Sequence, residues 1–240
     1  MLSRIKHSIR ACIEDKYLFH GGQRGLHCRQ SFFYNAWQAL TFNGIAGDYV
    51  EFGCHGGNTF GYSWRESRRM SARPHLWAFD SFEGLPAQQE GRDFHPAWVP
   101  GSMATSLNDF HAQCRAAGVP RIEYTAVPGF YDVTLPALGE SGEPKEIALA
   151  YVDCDLYSST QSVLQFLKQR LQHGMIIGFD DYYCWSASQI SGNRLAMLEA
   201  FEEETPWRLI PYLPIGWHGQ SFFVEDQRLR IGGRGVATRK

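Results

Sequence analysis

The sequence predicts an α/β domain in which one open, mostly parallel β-sheet carries helices on both faces. Apolar runs of strand length alternate with amphipathic segments of helix length between residues 46 and 226. The chain has 240 residues and a mass of 27.3 kDa, which is the size of one such domain with additional helical cover. Two of the apolar runs, residues 147–153 and 175–180, end in acidic residues, and open α/β sheets bind their ligands at this carboxyl edge.

The first 45 residues are predicted to form a helical cap. The first predicted helix places four apolar residues near one face: Leu2, Ile5, Ile9 and Ile13. A second helix, predicted at residues 29–42, is rich in aromatic side chains and follows a predicted loop at residues 20–27. Such an aromatic stripe is more often part of a core than a binding face, and exposed members of it would favour a homo-oligomer.

Seven strands are predicted, and the last two form a closing antiparallel pair. The strands are predicted at residues 48–53, 75–80, 121–127, 147–153, 175–180, 207–212 and 220–225. Four helices are predicted between them. One follows the first strand and ends at residue 69, and the others span residues 107–117, 159–172 and 194–204. The Pro- and Gly-containing residues 86–102 are predicted to be a lid or a disordered segment. The predicted organisation is therefore a cap at 1–45, a main domain at 46–226 and a loose basic tail at 227–240.

Composition excludes several classes of partner. The net charge is −2 and the pI is near 6.5, so the chain lacks the basic field that would favour nucleic acid. No apolar run approaches the ~18 residues of a membrane helix, and residues 1–16 lack the apolar centre of a secretory signal. The six cysteines have no regular spacing, which is typical of reduced thiols. We therefore expect a cytoplasmic protein without a membrane partner.

A glycine-rich turn follows the first predicted strand and precedes a helix. Its sequence is E-F-G-C-H-G-G, from Glu51 to Gly57. Glycines here allow a tight turn and a close approach of a ligand to the main chain. A carboxylate at Glu51 suits a ligand with an ammonium group and would repel a pyrophosphate, which favours S-adenosylmethionine over NAD. A purely structural turn is the alternative.

Asp80 ends the second predicted strand, 27 residues after Gly53. An acid at this position typically holds a ribose diol by two hydrogen bonds. The alternative is a helix cap or a turn acid.

Four aspartates follow the fourth and fifth predicted strands: Asp153, Asp155, Asp180 and Asp181. Four acids at the tips of two apolar strands are costly unless a positive charge lies among them, which predicts a divalent cation. Asp155 has an alternative role as the N-cap of a helix that begins near Ser158.

Five motifs occur in a fixed order along residues 47–201: V-E-F-G-C-H-G-G, F-D-S-F-E-G-L-P, V-P-G-F-Y-D-V-T-L-P, V-D-C-D-L-Y-S-S-T and F-D-D-Y. Together they resemble the macrocin O-methyltransferase (TylF/MycF-like) family, metal-dependent enzymes that methylate sugar hydroxyls of macrolides and related compounds. The resemblance implies a Rossmann-like class I methyltransferase sheet, S-adenosylmethionine as methyl donor and Mg²⁺ at the carboxyl edge.

The resemblance also implies roles for individual residues. The expected metal ligands are Asp153, Asp180 and Asp181, and Asp153 is in addition the expected general base. The expected cofactor-binding residues are Glu51, Gly53, His55, Gly57, Asp80, Ser81, Phe130 and Asp153, with Phe130 in a wall beside the adenine. The expected acceptor is a small, sugar-containing molecule.

Three alternatives remain open from the sequence. A catechol-type O-methyltransferase also presents two adjacent oxygens to a cation. An oxidoreductase that binds NAD or a nucleotide sugar would share the sheet, but Glu51 and the absence of an obvious Tyr/Lys or Cys catalytic pair count against it. A non-catalytic interaction domain would not need the acids.

Several residues near the expected acceptor mouth have two interpretations. His218, between the last two strands, is interpreted as a surface or capping histidine, with a substrate contact as the alternative. Tyr182, Tyr183 and Trp185 follow the metal acids directly, and they either stack on a ring of the acceptor or pack beneath the lid.

Overall fold

The computed structural model describes residues 21–89, 91–202 and 205–229, and within them seven strands form one sheet. The strands are β1 (Asp48–Phe52), β2 (Leu76–Asp80), β3 (Tyr124–Pro128), β4 (Ile147–Val152), β5 (Ile176–Phe179), β6 (Trp207–Ile215) and β7 (Gly219–Asp226). The helices are α1 (Gly21–Phe42), α2 (Asn58–Arg69), α3 (Leu107–Ala116), α4 (Tyr131–Ser141), α5 (Tyr157–Lys168) and α6 (Gly192–Ala200). The predicted helix with Leu2 and Ile13, and residues 230–240 of the predicted tail, lie outside the described residues.

The strand order is β3-β2-β1-β4-β5-β7-β6. The first five strands of this order are parallel, whereas β7 is antiparallel to both β5 and β6. Phe52 pairs with Val152 and Val152 with Phe179, so β1, β4 and β5 end at the same edge of the sheet. The strand order reverses between β1 and β4, and ligands of open α/β sheets bind at such a switch point. The predicted α/β class is confirmed.

The sheet is covered on both faces. All six residues of β4 are buried, as expected for a parallel strand with helices on either side. One core packs side chains of α1, α2 and α3 against the sheet, including Phe33, Trp37 and Phe60. The other core packs α4, α5 and α6 against the opposite face, including Leu164 and Met197. Among the described residues, none of the helices has the length and apolar character of a membrane span.

The aromatic stripe of α1 is part of the core, as predicted. Phe32, Phe33 and Trp37 are buried, and the indole N–H of Trp37 donates a hydrogen bond to Ser63 at 3.0 Å. The predicted loop at residues 20–27 is wrong, because the backbone is helical from Gly21 onwards. Each glycine costs a helix about 1 kcal/mol relative to alanine, and packing of the aromatic face outweighs this local preference.

Two further elements differ from the prediction. No helix is predicted after β3, yet α4 occupies Tyr131–Ser141 with Pro136 inside it. The third strand begins at Tyr124 because Arg121–Glu123 forms a 3₁₀ turn. Proline and short polar turns usually interrupt regular secondary structure. Here tertiary packing against the sheet outweighs that local preference.

The described residues between 86 and 102 form an irregular segment that hydrogen bonds hold against the body of the protein. At its base, the Leu85 amide donates to the Ser102 carbonyl at 3.0 Å. Near its middle, the buried Asp93 carboxylate accepts hydrogen bonds from the amide of Ser158 at 2.9 Å and from its hydroxyl at 3.0 Å. Asp93 therefore caps the N-terminus of α5, where a negative charge is favourable.

Asp155 does not cap α5. The N-cap position is Leu156, without a side-chain cap, and Asp93 supplies the capping carboxylate from a distant part of the chain. The capping alternative for Asp155 is therefore wrong.

Candidate active site

A cavity of about 800 Å³ opens at the carboxyl edge of the sheet. Its walls come from the glycine-rich turn, the ends of β2, β4 and β5, the start of α4 and the irregular segment 86–102. The lining includes Gly53, His55, Asp80, Ser81, Trp98, Phe130, Asp153, Asp155, Asp180 and Asp181. Five of the predicted site residues thus lie on one concave surface together with the four aspartates that follow β4 and β5.

Glycine is required at the beginning of this turn. Gly53 has φ 87°, and a Cβ atom there would overlap the carbonyl oxygen of Asp153. The tips of β1 and β4 therefore meet at Gly53, which brings the turn next to the acids. Gly57 lies at the start of α2 with φ 68°, where an added Cβ would touch the ring of Phe110 at 3.5 Å.

Asp80 holds the turn in place. One carboxylate oxygen accepts hydrogen bonds from the amides of Cys54 at 2.7 Å and His55 at 3.2 Å, and the other accepts from the amide of Phe82 at 2.7 Å. The turn-acid interpretation is thus correct, and Asp80 also lines the cavity, where its predicted ribose contact stays a prediction. Ser81 donates to the Gly84 carbonyl at 2.9 Å on the same wall.

Glu51 is fully buried behind the turn. Its carboxylate accepts hydrogen bonds from the hydroxyl of Thr59 at 2.7 Å and from the hydroxyl of Tyr49. Thr59 lines the cavity, so it connects Glu51 to the ligand space. Burial raises the pKa of Glu51 to about 8, in spite of the two hydrogen bonds that favour the ionised form.

This buried acid predicts a specific pH dependence. With a folded pKa of about 8 and an ordinary unfolded pKa, the folded state holds one more proton than the unfolded state between those values. Glu51 therefore lowers the free energy of unfolding as pH rises from 5 to 8. In the parent protein we expect Glu51 to lower the free energy of unfolding by an amount on the order of 3 kcal/mol over this range. Glu51→Gln is expected to remove this decrease. Urea unfolding at both pH values measures the loss.

The control for this measurement is the exposed Glu83, replaced by glutamine in the same way. Glu83→Gln is expected to keep the parent protein's slope of unfolding free energy against pH. If Glu51→Gln had the same slope as the parent protein, Glu51 would be ionised in the folded state.

His55 lies on the exposed side of the turn. Its Nδ1 atom is 2.8 Å from the Met103 carbonyl and 3.1 Å from the Thr105 hydroxyl. The ring thereby connects the turn to the end of the irregular segment. Phe130 also lines the cavity and is partly exposed, and its predicted place beside an adenine stays a prediction.

The acids form two overlapping groups that share Asp181. Oxygens of Asp153, Asp155 and Asp181 lie within 4.8 Å of one another, and so do ligand atoms of Asp180, Asp181 and His218. Burial and then the neighbouring carboxylates raise the pKa values of Asp153 and Asp181 well above the ordinary value. The same two effects raise the pKa of Asp155 to about 7.

One oxygen of this cluster lacks a partner. Asp181 is buried, and among the described residues no donor reaches its Oδ2 atom. A buried carboxylate oxygen without a hydrogen bond is costly, and a cation would satisfy it. Carboxylate oxygens are the ligands that Mg²⁺ prefers, so the residues present fit a hard divalent cation.

Asp180 has its own counter-charge. Arg29 of α1 donates from Nε to one carboxylate oxygen at 2.9 Å and from a terminal nitrogen to the other. The hydroxyl of Tyr151 donates to the same carboxylate. The predicted trio of Asp153, Asp180 and Asp181 lines one cavity, but the three carboxylates that lie within 4.8 Å of one another have Asp155 in place of Asp180.

Asp155 has an unusual backbone conformation for a residue other than glycine. Its φ angle is 58°, in the left-handed region, and its side chain is buried beside Asp181. Such conformations cost on the order of 1 kcal/mol and cluster at functional sites. The backbone thus turns the Asp155 carboxylate towards the cluster rather than towards α5.

The residues at the acceptor side separate into buried and exposed groups. The surface interpretation of His218 is wrong, because the side chain is buried with Nδ1 2.6 Å from the Asp180 carbonyl. Tyr182 packs in the core against Phe179 and Phe222. Tyr183 is exposed and Trp185 is half-buried, so these two remain available to a ligand.

A family model described as Macrocin-O-methyltransferase (TylF) matches residues 22–203. The chain belongs to the macrocin O-methyltransferase family. The family predicted from the five motifs is therefore confirmed. The matched residues include both the glycine-rich turn and all four aspartates of the cavity.

One curated relative of the chain is also named as an O-methyltransferase. An 8-demethyl-8-(2,3-dimethoxy-alpha-L-rhamnosyl)-tetracenomycin-C 4'-O-methyltransferase of Streptomyces olivaceus is 31% identical over 155 residues. The match covers 60% of this chain and 56% of that relative, so the chain spans little more than half of the relative's length.

Solved structures show that the fold is that of class I methyltransferases, as predicted. The O-methyltransferase NovP has a TM-score of 0.65 at 22% identity, with 82% of this chain and 79% of NovP covered. The calicheamicin methyltransferase CalS11 has the same TM-score and identity, with 81% and 77% covered. An O-methyltransferase from Bacillus cereus in complex with S-adenosylhomocysteine has a TM-score of 0.54 at 12% identity, with 81% and 80% covered.

Sequence reasoning missed Arg29 and Asp93. Arg29 is 151 residues from Asp180, and Asp93 is 65 residues from Ser158. Neither residue lies in a motif, and no local pattern marks a partner so far away. The membership of the macrocin O-methyltransferase family does not identify them either.

Proposed function

We propose that this protein is an S-adenosylmethionine-dependent O-methyltransferase that methylates a hydroxyl group of a small, sugar-containing acceptor with the help of Mg²⁺. The observation that carries the proposal is the composition of the cavity. A glycine-rich turn with Asp80 lies at one end, and the acid cluster with the unpartnered Asp181 oxygen lies at the other. The first end suits a nucleoside and the second a hard cation.

The cofactor half is built from the turn and the walls beside it. Asp80 would accept hydrogen bonds from the ribose hydroxyls, and Ser81 and Phe130, which line the same cavity, would border the adenine. Gly53 lets the methionine end approach the main chain, and Glu51 acts on its ammonium group through Thr59. His55 and Gly57 hold the shape of the turn. The bound cofactor supplies a methyl group on a positively charged sulfur.

The acid cluster would hold the cation through Asp153 and Asp181, with Asp155 or Asp180 as the third carboxylate. A bound Mg²⁺ supplies a Lewis acid that lowers the pKa of a coordinated hydroxyl. Three carboxylates leave about three coordination positions for two adjacent hydroxyls and a water. Asp153 is the member of the cluster whose backbone meets Gly53 of the turn, and its carboxylate would accept the proton of the attacking hydroxyl.

We infer a glycoside as the acceptor from the relative of Streptomyces olivaceus, whose name specifies a rhamnosyl tetracenomycin. Rhamnosides are therefore the first acceptors to test. A catechol would also offer two adjacent oxygens to the cluster, and it serves as the competing acceptor in the same assay.

Ligand-dependent stabilisation tests the cofactor assignment. S-adenosylhomocysteine at about 100 times its Kd is expected to stabilise the protein by about 2.7 kcal/mol and to raise its melting temperature. NAD at the same concentration is expected to leave the melting temperature unchanged. A shift with NAD alone would point to an oxidoreductase. Methyl transfer from labelled cofactor to rhamnosides, with Mg²⁺ and with EDTA, then tests the reaction and its metal dependence.

A further inference from the structure

The turn between β6 and β7 lies at the same edge of the sheet as the acid cluster. Phe179, the last residue of β5, pairs with Gln220 near the start of the antiparallel β7. Ile215 pairs with Gly219, so residues 216–218 form a short turn just beyond the end of β5. The turn is therefore beside Asp180 and Asp181, on the side of the cluster away from the glycine-rich turn.

This turn presents a tryptophan to solvent. Trp217 is 81% exposed, whereas the adjacent His218 is buried and fixed by Nδ1 at 2.6 Å from the Asp180 carbonyl. The ring of Trp217 meets the ring of His218 edge to face, with 5.3 Å between centroids. An indole of this size is normally well buried, and here it is exposed next to a residue that touches the metal-binding strand end.

Two more aromatic side chains flank the same place. The amide of Tyr183 donates to the His218 carbonyl at 2.7 Å, which ties the segment after Asp181 to the turn. Tyr183 is 42% exposed, and its ring lies 5.7 Å from that of Trp185. We name Tyr183, Trp185 and Trp217 the aromatic rim.

The aromatic rim carries no charge, and the ionisable residues next to it in the chain, Asp181 and His218, are both buried. The segments are Y-Y-C-W-S at 182–186 and L-P-I-G-W at 213–217. None of the rim residues belongs to the lining of the main cavity, so a ligand atom at the cluster would not reach Trp217 by itself. An acceptor that extends from the cluster towards solvent would reach it. The rim thus suits an uncharged, apolar ring attached to the methylated sugar.

A charged extension fits this side of the site poorly. Among the described residues, the cavity lining contains Arg29 and His55 as its basic side chains, and Arg29 is bonded to Asp180. The N-terminus of α5, which could bind a phosphate, is already capped by Asp93. Within the described lining, the diphosphate of a nucleotide sugar would therefore meet several carboxylates and no arginine that is free of a carboxylate partner.

We propose that Trp217 is a specificity residue for the acceptor, and that its ring stacks on an uncharged planar aglycone carried by the sugar that is methylated. The inference rests on the proposed function and goes beyond it by assigning the outer part of the acceptor to the aromatic rim. Trp217 contributes to the binding of the acceptor and not to the chemical step.

Two rhamnosides that differ only in the aglycone test the assignment: 4-nitrophenyl rhamnoside and methyl rhamnoside. We expect Trp217→Ala to lower kcat/KM about 10-fold for the aryl glycoside, through KM, and to leave the methyl glycoside nearly unchanged. Trp217→Phe is expected to recover most of the loss because it keeps an aromatic face. Phe42→Ala removes another exposed ring, outside the cavity, and is the matched control.

Three outcomes would overturn the assignment: an equal effect on both rhamnosides, no effect on either, or a change in oligomeric state that accounts for the loss. Preference of the parent protein for a nucleotide-diphosphate rhamnose would overturn it as well. The melting-temperature shift with S-adenosylhomocysteine is expected to be the same in every variant. If the parent protein methylates neither glycoside, the proposed acceptor class fails. Direct binding of the aryl glycoside, measured by ligand-observed NMR, then decides whether Trp217 contacts it.

Discussion

Replacing Asp153 with asparagine is expected to reduce methyl transfer by about 10²- to 10⁴-fold and to change the affinity for S-adenosylhomocysteine no more than a few-fold. Asparagine keeps the shape of the side chain but cannot accept the proton of the acceptor hydroxyl, and it is a weaker cation ligand. Asp153 lies within 4.8 Å of Asp155 and Asp181 through its carboxylate. Single-turnover transfer of a labelled methyl group and calorimetry with S-adenosylhomocysteine measure the two quantities separately.

Asp132 provides the matched control. It is an exposed acid that lines the same cavity outside the cluster, so Asp132→Asn removes a charge of the same kind. This variant is expected to keep its transfer rate within a few-fold. If Asp153→Asn lost cofactor affinity in proportion to activity, Asp153 would be a cofactor contact and the proposed base would have to be sought elsewhere in the cluster.

The sheet and the location of the acids could be predicted from the sequence because both depend on local patterns. The six residues of β4 form a continuous apolar run, which is typical of a parallel strand buried on both faces. The carboxylates after β4 and β5 then follow from the rule that parallel strands end at a common edge. Gly53 was also predictable, since its close approach to Asp153 requires the absence of a side chain.

The partners of the acids could not be predicted in this way. Asp155 lies two residues before α5, where an aspartate commonly caps a helix, but Asp93 of segment 86–102 provides the capping carboxylate. His218 lies in a short turn, and residues in short turns are usually exposed. This turn, however, packs onto the end of β5, which buries the His218 ring. In both cases a contact between distant segments decides the environment, and the sequence carries no periodic signal for such a contact.

The glycines of α1 show that tertiary packing can also outweigh the local preference for a secondary-structure element. Gly21, Gly22 and Gly25 predict a loop on propensity alone, and the backbone is nevertheless helical. Propensity differences of about 1 kcal/mol per residue are smaller than the free energy gained when an aromatic face such as that of Phe33 and Trp37 is buried. The continuous helix also positions Arg29 above the end of β5.

Loss of Arg29 is expected to destabilise the protein strongly. Asp180 is 1% exposed, and Arg29 binds both of its carboxylate oxygens from α1. Removing one partner of a buried ion pair leaves an uncompensated charge and typically costs about 3–5 kcal/mol. We expect Arg29→Met to lower the free energy of unfolding by about this amount at pH 7 in the presence of EDTA. Urea denaturation measures the change, and Arg29→Lys is expected to recover part of it.

A double variant separates the uncompensated charge from other effects of the substitution. Arg29→Met combined with Asp180→Asn removes both charges, so it is expected to be more stable than Arg29→Met alone. Arg228 pairs with Asp226 at the surface, and Arg228→Met is expected to change stability little. If the double variant is as unstable as the single one, the loss comes from packing of the Arg29 side chain. If it recovers, the N-terminal helix stabilises the acid cluster electrostatically, and added Mg²⁺ should then stabilise Arg29→Met more than it stabilises the parent protein.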